Sequence, residues 1–173
     1  NNTTAPYNTA AGYQSSRDNT TGQQNVFVGG FSGADNTTGT LNTGIGYSTL
    51  GANSFDQTGN YNTALGGFAL QNNTTASYNT AVGYLAGYTN TTGDQITALG
   101  TQALKLNTTG NYNSAVGVNS LLSNTTGSYN TSIGHSSLIS NTTANNNTAV
   151  GYQAGYLNTT GTANTFIGQG AGL

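Results

Sequence analysis

Polar and apolar positions along this chain repeat every seventeen residues. Each unit opens on Asn, Thr and Gly, passes through a short run in which β-branched or aromatic residues alternate with small or polar ones, and closes on a Gly-bounded stretch of small residues and Leu. Numbered from the leading Asn, which is Asp56 in the fourth unit, the units start at 2, 19, 36, 56, 73, 90, 107, 124, 141 and 158. Position three is Thr and position eleven is Gly in all ten units; position seven is Asn in nine, with Ile96 the exception. Position ten is aliphatic throughout: Ala11, Val28, Ile45, Leu65, Val82, Leu99, Val116, Ile133, Val150 and Ile167. Positions six to ten, typically Tyr-Asn-Thr-Ala-Val, read as a strand. Period two puts six, eight and ten on one face and seven and nine on the other. The aliphatic row at ten is therefore expected in the core, with Leu or Tyr from fifteen or sixteen. Gly at eleven predicts a positive φ or a close backbone approach. Asn-Thr-Thr-Gly reads as a corner, and positions twelve to sixteen suit a second brief strand.

A unit this short cannot bury its own apolar face and must stack on its neighbours. The predicted fold is all-β: a parallel β-solenoid (β-roll) of ten 17-residue coils, a single repeat domain over residues 1–173. Helix is disfavoured because Asn, Thr and Gly are weak helix formers. At about 4.8 Å per coil, ten coils make a rod of about 48 Å. Like residues then stack into ladders: Asn at one and seven, Thr at three, aliphatics at ten, Tyr at six. The core is thin for seventeen ordered residues. The small residues at nine either pack inside a narrow coil or let another chain approach closely. The third unit runs to twenty residues, with an insertion near 53–55 expected at a turn. All eleven Tyr fall on positions six, twelve and sixteen, a register that a disordered low-complexity segment has no reason to keep.

Only Arg17, Asp18, Asp35, Asp56, Asp94 and Lys105 are charged, for a net charge of −2. That leaves no electrostatic footprint for nucleic acid, and no apolar run is long enough for membrane insertion. There is no Cys from which to read a redox compartment. Hydration by Asn and Thr, or attached sugar, must replace charge in keeping the surface dispersed, which points to an extracellular, cell-surface or virion-surface location. Joining Leu173 to Asn1 would restore the seventeen-residue phase. The expected partner is therefore a second copy stacked end to end, or further coils of a longer repeat protein.

Asn-Thr-Thr is an N-glycosylation acceptor where the pathway exists. It stands at position one in Asn2, Asn19, Asn36, Asn73, Asn90, Asn107, Asn124, Asn141 and Asn158, with off-row acceptors at Asn1, Asn72, Asn130 and Asn146. A corner bearing these residues is expected at the surface, so covalent glycans are a candidate modification; the plain alternative is a good corner with a Thr ladder. The single His135 takes a position where Tyr is common and reads as a surface substitution. The four Asp fall at scattered positions and compose neither a calcium cage nor a carboxylate pair. No base recurs beside a Ser, and the Gly residues follow the unit period rather than a phosphate loop. No catalytic, cofactor or metal residues are assigned.

The stretches Asn79-Thr80-Ala81-Val82-Gly83-Tyr84 and Asn147-Thr148-Ala149-Val150-Gly151-Tyr152 resemble the head repeats of trimeric autotransporter adhesins. They are also similar to repeats of bacteriophage tail fibres and other bacterial surface fibres. The resemblance covers the strand part of all ten units; the family's period is shorter and the Asn-Thr-Thr-Gly corner is additional. It implies a left-handed β-roll, with Thr80 and Val82 facing the coil interior, Gly83 at the bend, and three chains side by side. The leading functional expectation is a structural subunit of an extracellular fibre. A receptor-binding or adhesive fibre segment is the first alternative. An ice-binding β-solenoid, ordering water on flat Thr and Asn arrays, is the second.

Overall fold

A computed structural model describes residues 5–51 and 56–173. Ten three-residue strands lie in one parallel sheet in chain order: β1 (Thr9–Ala11), β2 (Val26–Val28), β3 (Thr43–Ile45), β4 (Thr63–Leu65), β5 (Thr80–Val82), β6 (Thr97–Leu99), β7 (Ser114–Val116), β8 (Thr131–Ile133), β9 (Thr148–Val150) and β10 (Thr165–Ile167). Like positions pair: Thr80 opposite Thr97, Ala81 opposite Ala98, Val82 opposite Leu99. Where the chain carries its extra residues the register still holds, with Thr43 opposite Thr63. The insertion itself, near 53–55, lies outside the described residues. The chain is thus an all-β parallel solenoid, and no helix forms among the described residues.

The strand is shorter than expected, covering positions eight to ten rather than six to ten. Position six is left-handed in every coil, as at Tyr78 (φ 61°) and Gln95 (φ 56°), and turns the chain before the strand begins. The expected second strand at twelve to sixteen is absent among the described residues. Positions thirteen and fifteen are also left-handed, as at Gln102 (φ 60°) and Leu104 (φ 50°), and alternating left-handed residues cannot extend. Tight turns close instead, with Ala103 N–H donating to Gly100 O (3.2 Å) and Asn107 N–H to Leu104 O (3.2 Å). These left-handed non-Gly residues are individually unfavourable, and the coil holds them because it bonds to its neighbours all the way round. In coil six, N–H groups at two, eight, fifteen and seventeen donate to coil seven, from Thr91 to Thr108 O, Thr97 to Asn113 O, Leu104 to Ser120 O and Leu106 to Leu122 O. Those at six, eleven and thirteen donate back to coil five, from Gln95 to Ser77 O, Gly100 to Val82 O and Gln102 to Tyr84 O.

The sheet faces are reversed from expectation. Along the strands of the inner coils position nine is buried, while ten is half-buried or exposed. Val82 therefore points outward, correcting the interior placement that the adhesin resemblance implies, and Thr80 is half-buried. The interior holds the small residues at nine and fourteen, Leu at fifteen, and the Asn side chains at one and seven. A coil this narrow has no room for a second aliphatic row. The small stripe at nine fills the inside, which resolves its two readings in favour of packing within the coil.

Volume is conserved across positions. Phe27 at nine fills the space of an absent side chain at fifteen, where a Cβ on Gly33 would stand 2.5 Å from its ring. Phe166 does the same against Gly155. Ile96, the one break in the Asn row at seven, is buried within contact distance of Gly87, whose side-chain space Leu70 occupies.

Gly at position eleven meets both expected demands at once. Gly100 has φ +133°, and a Cβ there would stand 2.6 Å from Gly117 O of the next coil. Gly67, at position twelve, would place its Cβ no nearer than 3.7 Å, against the Tyr84 ring. Thermal denaturation should separate the two. Gly100→Ala is expected to cost more than about 2 kcal/mol through strain and a backbone clash, and Gly67→Ala less than about 1 kcal/mol.

Candidate functional site: an asparagine spine and an outward apolar face

Two Asn rows run up the inside of the rod and meet on one acceptor. At position one, Nδ2 donates to Oδ1 of the preceding coil's Asn: Asn107 to Asn90 (2.8 Å), Asn124 to Asn107 (2.8 Å), Asn141 to Asn124 (3.0 Å). The same Nδ2 donates to the position-four carbonyl of its own coil, as Asn124 to Gly127 O (2.9 Å). At position seven, Oδ1 accepts the next Asn's backbone N–H, as from Asn130 to Asn113 (3.0 Å). Its Nδ2 reaches the position-four carbonyl of the following coil, as Asn113 to Gly127 O (2.7 Å). Where both Asn are present, each such carbonyl therefore takes two amides. These buried polar groups are tolerated because almost all are satisfied.

Among the described residues the spine has two defects, both legible in the sequence. Ile96 supplies no amide, so Gly110 O keeps only Asn107 (2.9 Å). Asp56 replaces Asn at position one and is exposed, and Asn36 Oδ1, in the coil before it, is buried without a partner.

The acceptor row expected at an exposed corner faces inward. Asn19, Asn36, Asn73, Asn90, Asn107, Asn124 and Asn141 are buried, Asn158 is half-buried, and Asn2 lies outside the described residues. Their Nδ2 atoms, to which sugar would attach, are engaged in the spine. The corner turns because this Asn folds under it. Of the off-row acceptors Asn130 is buried, Asn72 half-buried and Asn146 exposed, while Asn1 lies outside the described residues. The Thr ladder sits one position earlier than expected. Thr at two donates to the next coil's carbonyl, as Thr91 Oγ1 to Thr108 O (2.9 Å), while Thr at three is exposed.

Outside, the aliphatic row at ten runs beside aromatic rows. Ile45 is 44% exposed and Ile133 41%. Tyr13, Phe31, Tyr47, Phe68 and Tyr84 form a continuous edge-to-face chain with centroids 5.3 to 5.9 Å apart. Where position twelve is Gly30 or Gly67, the ring moves to thirteen as Phe31 or Phe68, so the chain is unbroken. Tyr at six stacks in two face-to-face pairs, Tyr61 on Tyr78 and Tyr112 on Tyr129, each with centroids at 4.9 Å.

His135 lies on the surface as expected, stacked on Tyr152 at 5.6 Å with Ser136 Oγ at 3.0 Å from Nδ1. Arg17 bridges Asp18 (2.7 Å) and the nearly buried Asp35 (2.6 Å). Its guanidinium is raised further above its ordinary range, first by the hydrogen bond to Asp18 and also by both nearby charges, against a partial desolvation. No group of three or more His, Cys, Asp or Glu comes together among the described residues. Neither a known family, a curated protein nor a solved structure matches this chain.

Alanine scanning of the spine should read out its bookkeeping. Asn124→Ala leaves Gly127 O with Asn113, whereas Asn107→Ala strips Gly110 O of its only amide. Asn107→Ala is expected to cost about 1–3 kcal/mol more than Asn124→Ala in chemical denaturation, the penalty of one orphaned buried acceptor. Equal losses would mean that the shared carbonyl does not matter.

Proposed function

We propose that this chain is a structural segment of an extracellular or virion-surface fibre that associates side by side with its own kind through the outward aliphatic row. One observation carries the reading: the most apolar column of the repeat lies outside the coil. Covering a Val, Leu or Ile that is about 40% exposed contributes roughly 0.6–1.2 kcal/mol. No single coil could hold two rods together against the cost of association. A row engaged over its full length could, because identical rods share one coil spacing and their rows stay in step. A partner of different periodicity would fall out of register within a few coils. The ladders also continue through any further coil placed on either end, whether from this chain or another, so length is added without new chemistry. A fibre of this build suits the resemblance to adhesin heads and tail fibres, and receptor binding by such a fibre remains the alternative within it.

Ice binding is a second reading. Its support is the half-buried Thr of positions eight, which flank the aliphatic row at one coil spacing. That reading needs the face free, whereas the fibre reading needs it covered.

Sedimentation and cryo-electron microscopy of the purified protein distinguish them. Side-by-side oligomers are expected at about 10–100 µM, the range such a contact area supports. The triple variant Ile45→Lys, Val82→Lys, Ile133→Lys should be monomeric with its circular dichroism unchanged, because these side chains do not enter the core. A wild-type protein monomeric throughout that range would sink the fibre reading. Thermal hysteresis in that monomer would put ice binding in its place.

A further inference from the structure

The Tyr row at position six is interrupted at coil six, and the interruption leaves a cavity. Rings there stack one per coil: Tyr61 on Tyr78 with planes 4° apart, and Tyr112 on Tyr129 with planes 9° apart, both at 4.9 Å. Between the pairs stands Gln95, whose Nε2 donates to the Tyr112 hydroxyl at 3.4 Å. Leaning that way, it leaves no ring on the Tyr78 face opposite Tyr61. A cavity of about 390 Å³, lined by Tyr78 and Gln95, opens there. Tyr78 is accordingly 59% exposed against 49% for its stacking partner Tyr61. Tyr112 stands one coil beyond Gln95 and accepts its amide. The other two breaks each span two coils, Gln24 with Leu41 and Asn146 with Ala163.

We propose that this gap is a binding slot for one pyranose ring of an uncharged glycan. Gln95 stands one coil beyond Tyr78, about 4.8 Å along the rod, and its side chain leans toward Tyr112. The open cavity admits one ring on the exposed Tyr78 face with its rim at Gln95. The chain's two basic residues are elsewhere in the unit, Arg17 in coil one and Lys105 at position sixteen, and Asp94 precedes Gln95, so an anionic ligand has nothing to pair with. An incoming aromatic ring would satisfy the Tyr78 face but offer no polar partner to the Gln95 Oε1 or the Tyr78 hydroxyl at its rim. A pyranose meets both demands, with its axial C–H groups on the phenol face and its rim hydroxyls at the amide. The volume lies in the range of pockets that hold small ligands. The site uses position-six residues rather than the aliphatic row, so it does not depend on side-by-side assembly.

Saturation-transfer NMR tests the slot, with methyl glucopyranoside, methyl galactopyranoside and diacetylchitobiose as probes and p-cresol as the aromatic competitor. Transfer to the ring C–H protons of at least one sugar is expected with the wild-type chain. It should fall by about tenfold in Tyr78→Leu, which removes the stacking face. It should fall as far in Gln95→Tyr, which supplies the ring the row otherwise carries and fills the slot without disturbing the coil. Asn146→Tyr, which caps the other stack, should leave it unchanged. Circular dichroism of each variant confirms the fold. Sugar signals that persist in Gln95→Tyr, that vanish equally in Asn146→Tyr, or that are absent from the wild-type chain, whether or not p-cresol binds, would each overturn the proposal.

Discussion

The position-four carbonyl, held by two asparagine amides, is the contact on which the rest of the coil depends. It fixes the corner, since the Asn at position one bonds three residues ahead within its own coil, as Asn107 does to Gly110 O. It also fixes the stacking, since the Asn at position seven bonds to the corner of the next coil, as Asn79 does to Gly93 O. Local turn and long-range register thus share one acceptor. Amides can do this work in the interior because each has both a donor and an acceptor, and stacking identical residues aligns them head to tail. Aliphatic side chains could fill the same space but could not satisfy the carbonyls that a tight coil turns inward.

Filling the inside with amides pushes apolar area outward. A coil of seventeen residues with two Asn, two small residues and one Leu inside has no vacancy for the Val, Leu or Ile at position ten. That column is consequently available for contact between rods. The stability of a single rod rests on backbone and side-chain hydrogen bonds running its whole length more than on an oily core. Such a rod loses little when one coil is imperfect, as at Ile96 or Asn36, because each coil contacts only its neighbours.

Much of this was legible beforehand. The period predicted the parallel solenoid and its in-register ladders, and Gly at position eleven carried its own explanation. The face assignment failed for a specific reason. Alternation says which residues share a face, but not which face is inside, and the usual preference for burying Val over Asn picked the wrong one. The size of residue nine, Ala in most coils, was the available clue: an interior this narrow takes the small row. The second strand failed because left-handed φ at Gln102 or Leu104 has no signature in residue type; Leu is a poor left-handed residue and is held there by its neighbours. The buried acceptor row failed with the corner, since Asn-Thr-Thr-Gly looks the same whether its Asn points out or in. The slot at Gln95 was visible only as a missing Tyr, with no sign that it mattered until the stacks on either side had geometry.

The compensation between positions nine and fifteen bears on how such a chain can change its length over evolution. Near-identical repeats invite recombination between copies, which deletes or duplicates whole coils. Here the copies are not interchangeable. Phe27 belongs with Gly33, and Phe166 with Gly155 in the coil before it. A crossover that parted either pair would leave a hole on one side of the junction or a collision on the other. Only some boundaries are therefore safe for gain or loss of coils.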